Sequence, residues 1–213
     1  LLHSQGHQVT VLNRGQTQRA LPEGVTQLSA DREDQAAVAA ALSGKRFDAA
    51  YDIYAKPLDN LQAMAELLDG MVGHYIFCSS TNALAPTQIF PVREESPRNY
   101  SPDMPALAKA KVSSEELLME YHGKGSLPIS IIRPAVVYGP DNNQPKRDFK
   151  HFALLTRGRK VIIPGSGQQL FHPIHVDDLA AMFVAATGNE STYGEIYIGC
   201  GSESPTGEGY VRM

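Results

Sequence analysis

The stretch HYIFCSSTN, from His74 to Asn82, decides the fold of this 213-residue chain. Its apolar run YIFC predicts a strand that is buried on both faces of a sheet. Four small polar residues, SSTN, follow at once, where that strand ends. Parallel α/β sheets bind ligands at the carboxyl ends of their strands, so this stretch predicts both the sheet type and the edge that carries the site.

Working outward from it, short apolar runs alternate with amphipathic stretches, which indicates βα units and a parallel sheet. Prolines exclude regular structure from residues 83–104, and Gly6 is placed to end a helix at residues 1–5. The tail from Gly199 is rich in glycine and serine, and we expect little order there. The pattern predicts strands at 8–12, 25–28, 47–53, 74–78, 129–132, 161–163 and 195–198, and helices at 34–42, 58–68, 105–122, 148–157 and 176–186.

A helix followed by a strand at the start of the chain implies a preceding strand that the sequence lacks. In a doubly wound, Rossmann-like sheet this strand is the central one, and the turn after it carries a glycine-rich phosphate loop. Neither GxGxxG nor GxxGxxG occurs in the chain. We therefore expect a truncated nucleotide-binding domain at 1–140, and a small, partial substrate-binding region at 141–213 that is interleaved with the last strands.

Composition limits the classes of partner. The net charge of -4 argues against a dedicated nucleic-acid binder, which usually carries a basic excess. The two cysteines, Cys78 and Cys200, form no CxxC pair, which suits the reducing cytoplasm and indicates no zinc or redox motif. No apolar run approaches the ~18 residues of a membrane span. We expect a cytoplasmic protein without a membrane partner.

Six segments of the chain, in order, carry a resemblance to a known family. They are VTVLNRG (9–15), Asp31-Arg32, YIFCSSTNAL (75–84), KAKVSSEELL (109–118), IIRPAVVYGP (131–140) and IPGSGQQLFHPIHVDDLA (163–180). Together they resemble the extended short-chain dehydrogenases/reductases, the NAD-dependent epimerase/dehydratase family. The resemblance implies an NADP or NAD cofactor, a small-molecule substrate such as a nucleotide sugar, and a homodimer formed through helices 58–68 and 105–122.

Several residues of these segments take cofactor roles in the resemblance. Arg14 follows the second family strand, where a guanidinium suits the 2′-phosphate of NADP; a solvated loop arginine is the alternative. Asp31 is implied to accept from the adenine amino group, although Asp31 or Asp34 could also cap the next helix. The other implied cofactor contacts are Arg32, Ser79, Lys111, Pro134, Val136 and Val137.

The catalytic residues implied by the resemblance are incomplete. Ser80 aligns with the family serine that hydrogen-bonds the reacting oxygen, and Thr81 is its neighbour. Lys111 aligns with the lysine that binds the nicotinamide ribose and lowers the pKa of a tyrosine one turn earlier. Leu107 stands at that tyrosine position and cannot transfer a proton. The alternative for Lys111 is a solvated helical lysine with Glu115 as its i,i+4 partner.

On the substrate side, the resemblance points to Asn82, Tyr138, Arg157, Gln169 and His172. Tyr138 is a candidate substitute acid or base, with loop packing as the alternative. Arg157 belongs to a small basic cluster with Arg159 and Lys160, for which a solvated face is the common explanation. His172 and His175 precede an Asp-Asp pair, but the spacing arises from the family motif, and we expect no metal.

Two functions fit these observations. The first is an epimerase/dehydratase-like oxidoreductase that acts on a nucleotide sugar or a related alcohol or carbonyl compound without the usual tyrosine. The second is a non-catalytic module of the same fold that binds a dinucleotide for regulation or binds RNA, since chloroplast stem-loop-binding relatives of this pattern act on RNA. Loss of the tyrosine with retention of Ser80 and Lys111 fits both.

Overall fold

The computed structural model describes residues 1–16, 20–54, 58–142, 153–163 and 165–212. Short 3-10 helices occur at His3–Gln5, Thr81–Ala83 and Glu190–Thr192. The strands are β1 (Thr10–Asn13), β2 (Thr26–Ser29), β3 (Ala50–Asp52), β4 (Tyr75–Cys78), β5 (Ile129–Pro134), β6 (Val136–Tyr138), β7 (Pro173–His175) and β8 (Ile196–Gly199). The named helices are α1 (Gln35–Leu42), α2 (Leu58–Leu68), α3 (Ala106–Gly123), α4 (Val176–Ala186) and α5 (Gly207–Arg212).

The central sheet has four parallel strands in the order β3-β4-β5-β8. Side chains alternate across a strand, so Tyr75 and Phe77 of β4 enter one core together with Leu61 and Leu118 from helices α2 and α3. Ile76 enters the opposite core with Phe183 of α4. Helices therefore cover both faces, which confirms the doubly wound Rossmann-like sheet.

A separate parallel pair, β1 and β2, lies beside this sheet. Within the described residues, β1 and β3 are not paired, and a cleft of about 370 Å³ opens beside both strands. Val11, Tyr51, Met64 and Tyr75 are among the residues that line it. Side chains of β1 and β3 therefore border the same cleft.

Most predicted elements are confirmed within a few residues. Gly6 adopts a left-handed conformation, φ 87°, at the end of the first turn, although that turn is a 3-10 helix. Asp34, not Asp31, caps α1, since its carboxylate accepts from the backbone nitrogen of Ala37 at 2.9 Å. Residues 83–104 contain no long helix or strand, and an isolated bridge pairs Leu84 with Arg98.

Three expectations were wrong. Residues 161–163 form no strand, because Ile162 is 86% exposed and pairs with no strand among the described residues. The tail is ordered by distant contacts: Thr206 bridges to Leu170, and the ring of Tyr210 lies 4.7 Å from that of Phe171. The pair β6–β7 was missed, because three-residue strands carry too short a pattern to detect.

The predicted helix at 148–157 lies partly outside the described residues, and residues 153–155 are helical. The proposed division at residue 140 stays a prediction. No described helix combines the length and the apolar character that crossing a bilayer requires.

Candidate functional site

The candidate site lies at the carboxyl edge of the four-stranded sheet. Because its strands are parallel, their carboxyl ends meet at one edge, at Asp52, Cys78, Pro134 and Gly199. The backbone nitrogen of Ser79 donates to the carbonyl of Ile132 at 2.7 Å and extends the β4–β5 pairing by one step. The hydroxyl run that begins at Ser79 therefore leaves the sheet at its ligand-binding edge.

Ser80 has a fixed oxygen and a hydroxyl that can still donate. Its Oγ accepts a hydrogen bond from the backbone nitrogen of Asn82 at 3.2 Å and caps the short helix Thr81–Ala83. A serine hydroxyl carries one donor as well as two acceptor sites, so the donor stays available for a ligand oxygen. Ser80 and Thr81 are half-buried and Asn82 is exposed, as a contact surface for a small molecule requires.

Lys111 is buried at this edge, 4% exposed, so it is not a solvated surface lysine. Its ammonium donates to the carbonyl oxygen of Cys78 and lies 4.6 Å from the centre of the Phe77 ring. Burial lowers the pKa of the Lys111 ammonium, and the nearby carboxylates of Asp52 and Glu115 oppose that shift in part. The structure thus places the desolvated ammonium of Lys111 against Cys78, which precedes Ser80 by two positions.

Leu107 lies one helical turn before Lys111, in the first turn of α3, and is 50% exposed. An aliphatic side chain offers no proton at this position. The half-exposed site leaves room for a larger side chain.

Glu115, one turn after Lys111, is fully buried and joins several elements. Its carboxylate accepts from the Ser79 hydroxyl at 2.5 Å and from Nε of Arg98 at 3.3 Å. It also accepts from Nε and Nη2 of Arg133 at 2.9 and 2.7 Å. The alternative that Glu115 serves as a surface partner of Lys111 is therefore wrong.

The residues implied to bind the adenosine half occupy the ends of β1 and β2. Arg14 and Asp31 are exposed there. Arg32 differs, because its guanidinium pairs with the buried carboxylate of Asp52, with Nη1 to Oδ1 at 2.7 Å, and lies 5.5 Å from the centre of the Tyr54 ring. Arg32 thereby joins β2 to β3 across the end of the cleft.

The residues after β5 form the other wall of the edge. Pro134 is buried, and Val137 packs on the core that contains Ile76. Tyr138 makes an edge-on contact with His175, with ring centres 5.2 Å apart. Both rings line a pocket of about 330 Å³.

The remaining substrate candidates are less directly placed. Arg157 and Gln169 are exposed, as are the neighbours Arg159 and Lys160. His172 holds the chain after β8, because its Nε2 donates to the carbonyl of Gly201 at 2.7 Å. None of these three candidates lines the pocket that contains Tyr138.

Sequence reasoning missed Asp52 and the network around Glu115. The signal for Asp52 was a charge inside the apolar strand FDAAYDI, since a buried charge requires a partner. Glu115 and Arg133 were noticed as single residues, but their pairing joins a helix to a strand 18 positions away.

A doubly wound parallel sheet whose carboxyl edge carries serine hydroxyls and a buried lysine has the architecture of a Rossmann-type α/β domain. The sequence model of the NAD dependent epimerase/dehydratase family matches residues 1–199. The chain belongs to this family.

Two curated relatives show how widely function varies around this sequence. A chloroplast stem-loop binding protein of 41 kDa from Arabidopsis thaliana is 32% identical over 225 residues, covering 100% of this chain and 57% of that protein. The 2'-dehydrokanamycin reductase of Streptomyces kanamyceticus is 24% identical, covering 91% of this chain and 54% of that protein. The chain thus spans about half the length of these relatives.

Solved structures share the fold. Pal from Bacillus thuringiensis superposes with a TM-score of 0.82 at 20% identity, covering 97% of this chain and 74% of that one. UDP-glucose 4-epimerase from Thermotoga maritima, solved with UDP-glucose, gives 0.80 at 21% identity, covering 99% and 74%. The Thermus thermophilus UDP-glucose 4-epimerase complex with NAD gives 0.77 at 20%, covering 99% and 75%.

The described side chains fit the nicotinamide dinucleotide that the family uses. An exposed guanidinium, Arg14, and an exposed carboxylate, Asp31, lie at the ends of adjacent strands, where a phosphate and an amino group can be bound. At the other end, the ammonium of Lys111 lies beside the serine run and is suited to ribose hydroxyls. The chemistry of these donors is compatible with the two ends of such a cofactor.

Proposed function

We propose that the protein is an NAD(P)-dependent, epimerase/dehydratase-like oxidoreductase that acts on a nucleotide sugar or a related alcohol or carbonyl compound. The observation that carries this proposal is the buried ammonium of Lys111, which donates to the carbonyl of Cys78 at the carboxyl end of β4. Ser80 follows Cys78 by two positions. Burying a charge is costly, so a lysine kept in this place needs a reason that a surface lysine does not.

In this proposal the cofactor's adenosine end is held by Arg14, Asp31 and Arg32. Arg14 would favour NADP over NAD by pairing with a 2′-phosphate. At the nicotinamide end, Lys111 binds ribose hydroxyls through the hydrogens that its bond to Cys78 leaves free, and Ser79, Pro134, Val136 and Val137 line the pocket. When bound, the cofactor supplies a hydride acceptor or donor.

Ser80 orients the substrate by donating its hydroxyl to the reacting oxygen, with Thr81 and Asn82 beside it. Tyr138, Arg157, Gln169 and His172 complete the substrate side in this proposal. Leu107 leaves proton transfer without its usual side chain, and general acid–base catalysis is typically worth ~10²–10⁴-fold. We therefore propose a slow reaction, or one in which Tyr138 or water moves the proton.

The test is a fluorescence titration of the natural protein with NADPH and with NADH. The variant Lys111→Ala removes the buried ammonium, and Lys109→Ala is the matched control, because Lys109 is exposed on the same helix. A charged hydrogen bond is worth about ten- to a hundredfold in affinity, so we expect that loss for Lys111→Ala and no change for Lys109→Ala. Arg14→Ala should weaken NADPH binding and leave NADH binding unchanged. If the natural protein binds neither dinucleotide, this proposal is wrong.

A second candidate function is the binding of an RNA stem-loop. The relative from Arabidopsis thaliana, 32% identical across the whole chain, favours it by its name. The net charge of -4 weighs against it, so a local basic surface must supply the phosphate contacts. Arg157, Arg159 and Lys160 are exposed and close together in sequence.

RNA binding is tested with an RNA hairpin in an electrophoretic or anisotropy assay across a range of salt concentrations. The triple variant Arg157→Ala/Arg159→Ala/Lys160→Ala should weaken binding and flatten its salt dependence, because each lost phosphate contact lowers the slope by about one. Hairpin binding without dinucleotide binding would replace the first proposal by the second.

We further propose a homodimer formed through α2 and α3. These helices pack side by side, and the Tyr121 hydroxyl donates to Glu66 at 2.9 Å between them. Light scattering of the natural protein would test this; a monomeric mass at working concentration would exclude it.

A further inference from the structure

The carboxylate of Glu115 has no acceptor capacity left for a substrate. Four hydrogen bonds reach it: one from Ser79, one from Arg98 and two from Arg133. Two carboxylate oxygens offer about four lone-pair sites, so these donors use them all. Glu115 is also fully buried, which excludes direct contact with a ligand.

Two consecutive turns of α3 hold two consecutive residues at the end of β4. Lys111 donates to the carbonyl of Cys78, and Glu115, four positions later, accepts from the hydroxyl of Ser79. Residues four apart lie on one helix face, so α3 holds the end of β4 by two hydrogen bonds. Ser80 directly follows Ser79, and these two hydrogen bonds therefore fix its position.

The same carboxylate fixes the proline-rich loop, residues 83–104, through its two arginines. Arg98 belongs to the loop and reaches Glu115 directly. Arg133, at the end of β5, uses its remaining Nη1 to donate to the carbonyl of Glu94 at 2.8 Å. The side chain of Glu94 in turn accepts from the backbone nitrogen of Ile198 in β8 at 2.9 Å.

We propose that Glu115 is a positioning residue: its buried carboxylate locks α3, the ends of β4 and β5 and the loop into one arrangement, and thereby sets the Ser80 hydroxyl and the Lys111 ammonium on the reacting centre. This inference rests on the proposed function for the reaction that is positioned, but the positioning itself is a property of the fold. Glu115 acts through Ser79, Arg98 and Arg133.

The test uses Glu115→Gln in the natural protein, which keeps the side-chain shape, removes the charge and places amide hydrogens against the donors. Glu116→Gln is the matched control, because Glu116 is the next residue of the helix and is exposed. Glu115→Asp keeps the charge on a shorter side chain and should recover part of the loss.

Hydrogen exchange measured by mass spectrometry reports positioning without any ligand. In Glu115→Gln we expect amide exchange in residues 79–82 to rise about tenfold or more, the effect of losing a charged hydrogen bond, with exchange in α1 unchanged. A merely structural role would raise exchange in both segments alike. Exchange at 79–82 equal to that of Glu116→Gln would overturn the proposal.

Ligand binding and turnover supply the second readout. NADPH binding should weaken about tenfold in Glu115→Gln, and kcat for the substrate found by screening should fall much more than KM rises, because a displaced Ser80 affects the transition state most. If the natural protein binds no dinucleotide, the proposed function fails, and the exchange measurement still decides the positioning.

Glu115→Gln could fail to fold, and Ser79→Ala then replaces it. This change removes a single hydrogen bond to Glu115 and leaves both arginine pairs in place. Faster exchange confined to residues 79–82 is expected, and exchange within about twofold of the natural protein would overturn the proposal.

Discussion

Glu115 and Arg133 form a two-pronged ion pair in the interior, with Nε to Oε1 at 2.9 Å and Nη2 to Oε2 at 2.7 Å. Their side chains are 0% and 1% exposed. Removing one partner of such a pair leaves an uncompensated charge in a low dielectric, which typically costs about 3–5 kcal/mol. Removing one partner of this pair should therefore destabilise the protein more than replacing both partners with apolar residues.

We predict that Arg133→Leu lowers the free energy of unfolding by about 3–5 kcal/mol. The double variant Glu115→Leu/Arg133→Leu should lose less than the sum of the two single changes, because it removes both charges together. Urea denaturation of the natural protein and of the three variants gives the coupling energy. Additivity within about 0.5 kcal/mol would contradict the prediction.

Asp52 anchors a second buried network. Its carboxylate accepts from the Arg32 guanidinium, from the hydroxyl of Tyr75 and from the backbone nitrogen of Tyr54 at 3.1 Å. Asp52→Asn should destabilise the protein by about 3 kcal/mol, since the amide cannot accept all these donors and the arginine loses its counter-charge. Asp48→Asn, an exposed change in the same segment, should have almost no effect in thermal denaturation. Equal melting temperatures for both variants would refute a structural role for the Arg32–Asp52 pair.

His74 predicts a pH dependence of stability. Burial lowers its pKa to about 4, partly opposed by a backbone hydrogen bond to Ala186, while Nδ1 accepts from the nitrogen of Gly188 and Nε2 contacts the hydroxyl of Ser130. The unfolded chain binds a proton at this residue near its ordinary pKa of ~6.5 and the folded chain does not, so its contribution is complete above that pH. Stability should fall by about 1 kcal/mol per pH unit as the pH drops toward 4.

The variant His74→Gln removes this titration and should flatten the stability profile between pH 6.5 and 4, the ordinary and the lowered pKa. His7→Gln, at an exposed position, is the control and should retain the slope. Chemical denaturation at several pH values provides the measurement. An unchanged slope in His74→Gln would show that other groups cause the acid sensitivity.

Leu107 offers a gain-of-function prediction. It is half-exposed and lies one turn before Lys111 on α3, so a tyrosine fits there without repacking the core. Leu107→Tyr should raise the rate of NADPH-dependent turnover by about tenfold or more, by supplying a proton donor one helical turn before the Lys111 cation. Leu107→Phe adds the ring without the hydroxyl and should not accelerate the reaction. Equal rates for the two variants would rule out a tyrosine-like site at this position.

The sequence was most informative where one pattern repeats over a whole element. α3 could be predicted because its proline-started pattern extends over 18 residues, and β4 because all four of its residues are apolar. The resemblance singled out Lys111 and Ser80, and in the structure the Lys111 ammonium donates to the carbonyl of Cys78, two residues before Ser80.

Features that depend on distant partners could not be predicted from local pattern. The Arg32–Asp52 and Glu115–Arg133 pairs join residues 20 and 18 positions apart, and no local periodicity marks them. The β6–β7 pair and α5 are short and are held by long-range contacts such as Phe171–Tyr210. The roles of Arg157 and Gln169 stay predictions, since both lie exposed outside the networks described.

The central claim is that the carboxyl edge around Ser80, Lys111 and Pro134 holds the nicotinamide end of a dinucleotide. Hydrogen exchange of the natural protein with and without saturating NADPH tests it most directly, because protection locates the bound ligand. The account predicts slower exchange in residues 78–82 and 133–138, and markedly less protection in Lys111→Ala at an NADPH concentration that just saturates the natural protein. Binding without protection in either segment, or protection in Lys111→Ala equal to that of the natural protein at this concentration, would contradict it.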